Sequence, residues 1–153
     1  MKPLEVHCRN RVLYARISIE DKGIGMRDYY LYHKNGVSFY IFRKEESIWK
    51  LVYGQLDEDI RESCIDALIL RFDEDVPEIF YHQGQRQIVR ISSEKRLIWL
   101  VYLNEVYCGR IDFHAPSMDF SHKIENETLL TDENFKRYIY KIRHSEIRWN
   151  RSI

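Results

Sequence analysis

Side chains suited to metal chemistry occur at three positions in the second half of the chain. Asp112 and His114 are two residues apart on a predicted strand and therefore share one face, and His122 follows a short loop. One carboxylate with two imidazoles is the ligand set of a facial-triad iron site or of a zinc site. The spacing matches no established metal motif, and histidines at strand ends are usually solvated. These three residues are therefore the metal candidates, and we expect no catalytic residue and no cofactor.

A glycine-containing segment from Ile17 to Met26 reads Ile-Ser-Ile-Glu-Asp-Lys-Gly-Ile-Gly-Met. Asp21, Gly23 and Gly25 resemble the D-x-G-x-G box of the Bergerat-fold ATPases, the family that includes the histidine kinases. The resemblance implies an aspartate that binds the adenine amino group and glycines that let the backbone approach the nucleotide. The family's upstream helix with its Mg²⁺ ligands and its second glycine loop have no counterpart here, so phosphoryl transfer would lack electrostatic support. We expect a glycine turn between two strands and no ATP binding.

The cysteines and the apolar runs bear on the cellular compartment. Cys8, Cys64 and Cys108 cannot all pair within the chain and show no C-x-x-C spacing, which is typical of a reduced, cytoplasmic protein. Cys64 lies on the apolar face of a predicted helix with no histidine near it in sequence, so we expect a buried, inert thiol. The longest apolar run, Leu97 to Leu103, is far shorter than the roughly 20 residues of a spanning helix. The N-terminus has no apolar signal region, and we expect no membrane association.

The composition is that of a globular protein without a strong charge bias. The 153 residues are 44% hydrophobic and 31% charged, with 24 Lys and Arg against 24 Asp and Glu. Zero net charge argues against a general nucleic-acid or anionic-membrane binder, although a local basic face stays open. Aromatic residues reach 14%, which favours strands and surfaces with large amphipathic side chains. No G-x-S-x-G, H-E-x-x-H or P-loop motif occurs, so we lean towards a protein that is not an enzyme.

Charge nevertheless segregates along the chain. Residues 56–78 hold nine acidic and two basic side chains, whereas residues 131–153 hold six basic and three acidic ones. We interpret both stretches first as solvated helix faces. The alternatives are a basic partner for the acidic stretch and a nucleic-acid contact for the basic one.

Strands are indicated by aromatic and β-branched runs between polar turns. Tyr29–His33 and Val37–Arg43 flank Asn35-Gly36, a dipeptide that favours a two-residue type I′ turn because both positions tolerate positive φ. This pattern predicts a hairpin. The other predicted strands are Val12–Ile19, Ile48–Tyr53, Ile79–His82, Gln87–Ile91, Leu97–Leu103 and Val106–Phe113.

Two segments have the period of an amphipathic helix. In residues 57–71, Asp57 is placed to cap, and Ile60, Cys64 and Leu68 recur on one face. In residues 131–149, Thr131 is placed to cap, and the apolar face extends towards Trp149. The segment around Pro116 is interpreted as irregular.

These elements predict an α+β fold in which antiparallel meanders each carry one helix, within a single domain of residues 1–153. A faint internal register supports a duplicated meander-plus-helix unit with halves 12–75 and 78–149. Tyr32-His33 matches Tyr81-His82, and Ile48-Trp49 matches Ile98-Trp99.

The predicted strands leave more apolar surface than two helices can cover. Val37 to Phe42 and Leu97 to Leu103 are apolar on both faces, whereas a meander packed on one helix needs only one apolar face. We therefore expect a small cytoplasmic binding protein that forms a homodimer or higher oligomer through its aromatic-rich strands, and that could also bind another protein. The alternatives are a small metal-dependent enzyme using Asp112, His114 and His122, and a single-strand nucleic-acid binder, which zero net charge disfavours.

Overall fold

The computed structural model of the protein describes residues 1–34, 36–144 and 146–147, with every side chain among them except that of Glu94. The chain forms two compact units, Met1–Arg71 and Phe72–Ile153. Each unit contains a five-stranded antiparallel sheet, whose strands lie side by side in chain order, followed by one helix. The expected α+β fold with antiparallel meanders and two helices is confirmed.

Unit 1 holds five strands joined by short turns. They are β1 (Leu4–Cys8), β2 (Arg11–Gly23), β3 (Met26–Tyr32), β4 (Phe39–Glu45) and β5 (Ile48–Tyr53), and the helix α1 (Glu58–Phe72) follows. The alternating pattern of β1 places Leu4, Val6 and Cys8 in the core while Glu5 and His7 face outwards. The sequence analysis missed β1.

The helix α1 covers one face of the unit 1 sheet and is held against β1 at both ends. Near its C-terminus, Arg71 Nη1 donates to the Pro3 carbonyl at 3.0 Å. Near its N-terminus, Cys8 Sγ donates to the Asp59 carbonyl at 3.9 Å. The helix therefore runs antiparallel to β1, the strand at the opposite edge of the sheet from β5.

Unit 2 repeats this plan. Its strands are β6 (Glu78–His82), β7 (Gln85–Lys95), β8 (Ile98–Leu103), β9 (Val106–His114) and β10 (Asp119–Ile124), and its helix is α2 (Asp132–Arg143). Trp99, Val101 and Ile111 from the sheet are fully buried with Phe135 and Tyr138 from α2. β10 occupies the segment interpreted as irregular from sequence.

The helix α2 begins as predicted and ends earlier. Thr131 is the N-cap residue, and both its backbone N–H and its hydroxyl donate to Asn134 Oδ1 at 2.8 Å. The sequence predicted a helix over residues 131–149, but the helix ends at Arg143. His144, Glu146 and Ile147 are described and are not helical, so the predicted end is wrong. Trp149 lies outside the described residues.

The predicted hairpin around Asn35-Gly36 forms, but with a longer loop. β3 and β4 are antiparallel neighbours, and Tyr32 pairs with Phe39, the register that a two-residue turn would give. The last bond of the hairpin runs from the His33 N–H to the Ser38 carbonyl at 2.8 Å, and Gly36 N donates to the His33 carbonyl at 2.8 Å. A two-residue turn at Asn35-Gly36 would instead place the last hydrogen-bonded pair at residues 34 and 37, so the predicted two-residue turn is wrong. Asn35 itself lies outside the described residues.

The two units repeat with a longer spacing than the sequence suggested. β1 and β6 start 74 residues apart, and so do α1 and α2. At this spacing Arg16-Ile17-Ser18 of β2 matches Arg90-Ile91-Ser92 of β7, and Pro3 matches Pro77. The predicted register of 49 and 50 residues instead aligned β3 with β6 and β5 with β8, because common strand formers match by chance.

Candidate interaction surface

The structure does not bring the three metal candidates together. Asp112 and His114 share a face of β9, as predicted, but His122 on β10 pairs with Ile111 and therefore lies on the opposite, helix-covered face. His122 Nε2 is 2.8 Å from Asp132 Oδ1, and its ring stacks on Phe135 with centroids 5.3 Å apart. Within the described part of the chain, no group of three or more His, Cys, Asp and Glu side chains is placed to hold a metal ion.

Asp112 and His114 also have separate partners on their own face. The Arg110 guanidinium lies 3.2 Å from Asp112 Oδ2. His114 Nε2 is 2.8 Å from Ser121 Oγ, a cross-strand contact with β10. These contacts are those of strand side chains that stabilise a sheet surface.

The D-x-G-x-G segment forms the turn between β2 and β3. Gly25 has a φ of 71° in this turn. Asp21 Oδ1 accepts a hydrogen bond from Arg27 Nε at 2.8 Å, and both side chains are exposed. A Cβ added at Gly23 would meet no atom within 4 Å, so no close backbone approach requires this glycine. The segment is a surface hairpin with a cross-strand ion pair.

The three cysteines are free thiols, and all three are buried. Burial raises the pKa of the Cys64 thiol to about 11, so this group is protonated at neutral pH. Because the thiolate is the reactive form of cysteine, Cys64 is a packing residue in this environment.

The outer face of the unit 1 sheet carries a continuous cluster of aromatic rings, which we call the aromatic face. It consists of Tyr30 and Tyr32 from β3, Phe39 from β4 and Tyr53 from β5. Register places these residues together, because Tyr32 pairs with Phe39 while Tyr30 pairs with Ile41, which pairs in turn with Tyr53. The Phe39 centroid is 5.6 Å from that of Tyr30, 5.9 Å from Tyr32 and 5.3 Å from Tyr53.

The aromatic face is bordered by polar groups that hold its tyrosines. Arg16 lies over the Tyr32 ring, with its guanidinium carbon 5.0 Å from the centroid, and Ser18 Oγ is 3.0 Å from the Tyr32 hydroxyl. The Tyr30 hydroxyl donates to Glu20 Oε2 at 2.8 Å, and this hydrogen bond raises the pKa of Tyr30. Both tyrosines are therefore positioned by side chains of β2.

An ion pair between the half-buried Arg43 and the buried Asp28 lies beside the aromatic rings. Arg43 donates from Nε to Asp28 Oδ1 at 2.7 Å and from Nη2 to Asp28 Oδ2 at 3.1 Å. The Asp28 side chain is 3% exposed. These hydrogen bonds lower the pKa of Asp28, so its carboxylate stays ionised. The pair fixes β3 against β4 in the strands that carry three of the four rings.

Unit 2 has a related but smaller arrangement. Arg90 pairs with Tyr102, as Arg16 pairs with Tyr32 in unit 1. Tyr102 pairs with Tyr107, and the two rings meet edge to face with centroids 5.8 Å apart. The arginine and tyrosine pairing on the outer face is thus common to both units, whereas the four-ring cluster is a property of unit 1.

The sequence analysis predicted aromatic-rich strands but did not identify the aromatic face. The alternation of Tyr30 and Tyr32 was visible, but their grouping with Tyr53 depends on the order of three strands and on the irregularity in the β4–β5 pairing between Ile41 and Phe42. Among the described residues, no helix has the length and apolar character needed to cross a membrane. Comparisons with protein-family models, curated proteins and solved structures found no match.

Proposed function

We propose that this protein is a non-enzymatic binding protein that self-associates through the aromatic face, and that it acts in the cytoplasm. The observation that carries the proposal is the four-ring cluster of Tyr30, Tyr32, Phe39 and Tyr53 on an outer sheet face. Tyrosine, phenylalanine and arginine are enriched in protein interfaces, where a few such residues supply most of the binding energy. Three buried free thiols fit a reducing compartment.

A second copy of the chain is the favoured partner because carboxylates hold two of the three cations around the aromatic face, and the third, Arg16, lies over the Tyr32 ring. Lys22 lies 2.6 Å from Glu20, and Arg43 is bound to Asp28. A surface of paired charges does not repel its own copy, whereas a strongly basic or acidic surface would. Two-fold association places one patch against itself, so this balance favours an isologous dimer.

Two different observations disfavour the two alternative functions. A single-strand nucleic-acid site needs cations aligned for phosphates beside its stacking rings, and here carboxylates hold Lys22 and Arg43. A metal-dependent enzyme needs converging ligands, and His122 lies on the opposite sheet face from Asp112. An oligonucleotide titration at two salt concentrations and a metal analysis of purified protein check these alternatives.

Light scattering coupled to size exclusion tests the proposal. We expect the wild-type protein at tens of micromolar to show a mass near 37 kDa, twice the 18.7 kDa of the chain. Phe39→Ala removes the central ring of the aromatic face and should weaken the dimer about 30-fold, the effect of losing one interface hot spot. Tyr140→Ala is the matched control, because Tyr140 is a tyrosine that is 60% exposed on α2 and belongs to unit 2, whereas the aromatic face belongs to unit 1.

Two results would contradict the proposal. The first is a wild-type mass of one chain that does not change with concentration, which would mean that the aromatic face is covered within one chain. The second is an equal dissociation constant for the dimers of the Phe39→Ala and Tyr140→Ala variants.

A further inference from the structure

A pocket of about 270 Å³ lies between the unit 1 sheet and α1. Val6 and Leu31 line it from the sheet, and both are buried. Cys64 and Ile60 line it from the helix, the first buried and the second half-buried. Because successive side chains of a strand alternate between its faces, Leu31 lies on the opposite side of the sheet from Tyr32 of the aromatic face. The pocket therefore belongs to the helix-covered face of the sheet.

The pocket combines a mainly apolar wall with basic side chains at one end. Ala15 and Leu56 add to the apolar wall. His33 and Lys34 border the pocket where β3 passes into the loop before β4, and both are exposed. Of the described residues that line the pocket, none is acidic, and within the described part of the chain Lys34 has no carboxylate partner. An apolar interior with a cation at its opening suits a molecule that has an apolar body and an anionic end.

Unit 2 has larger side chains at the equivalent positions of its core. At the 74-residue spacing of the two units, Cys64 corresponds to Tyr138 and Ala15 corresponds to Val89. Tyr138 and Val89 are both fully buried in the core of unit 2. Cores are normally packed without such gaps, so the small side chains of Cys64 and Ala15 explain why unit 1 has space where unit 2 has side-chain atoms.

Unit 2 also has a hydrogen bond at the end where the unit 1 pocket opens. Leu13, which lines the pocket and is 38% exposed, corresponds to Gln87 at the same spacing. Counted from the paired arginine and tyrosine of each unit, Asn104 is the counterpart of Lys34. Asn104 Nδ2 donates to Gln87 Oε1 at 2.8 Å. Leucine has no polar group to accept such a bond, so the same end of unit 1 stays open.

We infer that the pocket binds a small apolar carboxylic acid, whose hydrocarbon part lies against Leu31, Ile60 and Cys64 and whose carboxylate is bound by Lys34. An apolar cavity of about 150 Å³ holds one benzene molecule, so the larger volume here suits a chain of about eight to ten carbons. Burial raises the pKa of the Cys64 thiol, which leaves the apolar wall uncharged. Among the described residues, Tyr32 alone borders both this pocket and the aromatic face, so the inference goes beyond the proposed self-association.

Calorimetric titration of the full chain with octanoate and with 1-octanol tests the inference. The two molecules have the same chain length and differ in charge. We expect octanoate to bind, and octanol to bind at least about tenfold more weakly because it lacks the charge-assisted hydrogen bond to Lys34. From butanoate to octanoate, each added CH₂ should tighten binding about fourfold. Nuclear Overhauser contacts from octanoate to the methyl groups of Leu31 and Ile60 should locate the chain in the pocket.

One pair of variants tests the apolar part of the pocket. Cys64→Phe places in unit 1 a ring like that of Tyr138, and it should weaken octanoate binding at least about tenfold by filling the space. Leu70→Phe adds the same ring at a position of α1 that is 45% exposed and outside the pocket, and it should leave binding unchanged. If Cys64→Phe shows no cooperative urea unfolding, Ala15→Val, which matches Val89 of unit 2, takes its place.

A second pair of variants tests the charged end. Lys34→Gln should weaken octanoate binding at least about fivefold and leave octanol binding unchanged. Lys2→Gln removes an exposed lysine that does not line the pocket, and it should change neither. Absence of octanoate binding, equal affinities for octanoate and octanol, or equal octanoate affinities within either variant pair would overturn the inference. Contacts of bound octanoate with the aromatic face in place of Leu31 and Ile60 would also overturn it.

Discussion

Gly109→Ala tests the β9–β10 register that separates the metal candidates. Gly109 pairs with Ile124, and a Cβ at this position would lie 2.2 Å from the Lys123 carbonyl oxygen and 3.0 Å from the Ile124 Cα. The first distance is 1.2 Å short of ordinary contact at 3.4 Å. Because both obstructing atoms belong to the backbone, the strands must separate. A shift of that size breaks nearby hydrogen bonds such as the one from Glu125 N to the Cys108 carbonyl at 2.8 Å.

The expected cost combines overpacking of about 1–3 kcal/mol with the loss of one or two strand hydrogen bonds of about 1 kcal/mol each. Gly109→Ala should therefore destabilise unit 2 by about 3 kcal/mol or more. Gly84→Ala is the control, since Gly84 has a φ of 76° with nothing within 4 Å of an added Cβ, and it should cost about 1 kcal/mol from backbone strain alone.

Urea unfolding followed by the NMR indole signal of Trp99, which is fully buried in unit 2, measures both variants. Equal midpoints for Gly109→Ala and Gly84→Ala would refute the register. His122 would then no longer be assigned to the face opposite Asp112, and the metal candidates would need to be considered again.

Four further predictions concern unit 1 and the start of α2. Arg43→Ala should destabilise the protein more than Arg27→Ala, because it leaves the buried Asp28 carboxylate unpaired. Asp21, the partner of Arg27, is 74% exposed and stays solvated when Arg27 is removed. The midpoints of urea unfolding for the two variants measure this difference. The lowered pKa of Asp28 contributes stability above the carboxyl's unfolded value near pH 4, and this stability is lost as pH falls through the folded pKa. Asp28→Asn should therefore flatten the acid limb of a stability curve, and an unchanged limb would contradict this assignment. Thr131→Ala should cost about 1 kcal/mol by removing the N-cap side chain, which unchanged urea melts would refute. Calorimetric titration with Mg-ATP should show no binding, and micromolar binding abolished by Asp21→Asn would reverse that expectation.

Most of the fold could be predicted from local sequence signals, and the errors have physical causes. The period of Ile60, Cys64 and Leu68 located α1 to within one residue at each end. β10 was missed because Asp-Phe-Ser-His-Lys-Ile has only two apolar residues, and its strand structure depends on pairing with β9. β1 is short and alternates apolar with polar residues, a pattern that is weak without a known partner strand.

The candidate sites were harder to predict because they depend on pairing between strands. The face of His122 follows from its pairing with Ile111, which no property of residues 119–124 alone specifies. The repeat is the exception, since Arg-Ile-Ser recurs at 16–18 and 90–92 of the sequence. A search at spacings longer than 50 residues would have found it, and would have aligned the two helices from the amino-acid sequence alone.

The repeat also separates what the scaffold requires from what each unit adds to it. Cys64 and Leu68 of α1 correspond to Tyr138 and Ile142 of α2, and all four are buried, so these positions serve packing in both units. Arg71 donates to the Pro3 carbonyl in unit 1, and Lys141 donates to the Pro77 carbonyl in unit 2. The contact between the end of the helix and the start of the first strand is therefore also common to both units.

The fifth strand is where the units differ. In unit 2 the helix is bonded to it through His122 and Asp132, whereas the N-terminal end of α1 is bonded to β1 through Asp59. The opposite edges of a five-stranded sheet are about 19 Å apart, whereas a helix is about 10 Å wide. Because α1 is bonded to the first strand, it does not reach across to cover the last one. The cleft of about 830 Å³ between β5 and α1, which Trp49, Leu51, Arg61 and Ile65 help to line, is thus a consequence of how α1 is held. Replacing Arg61, the counterpart of Phe135, is therefore the change that should close the cleft without altering the packing shared by both units.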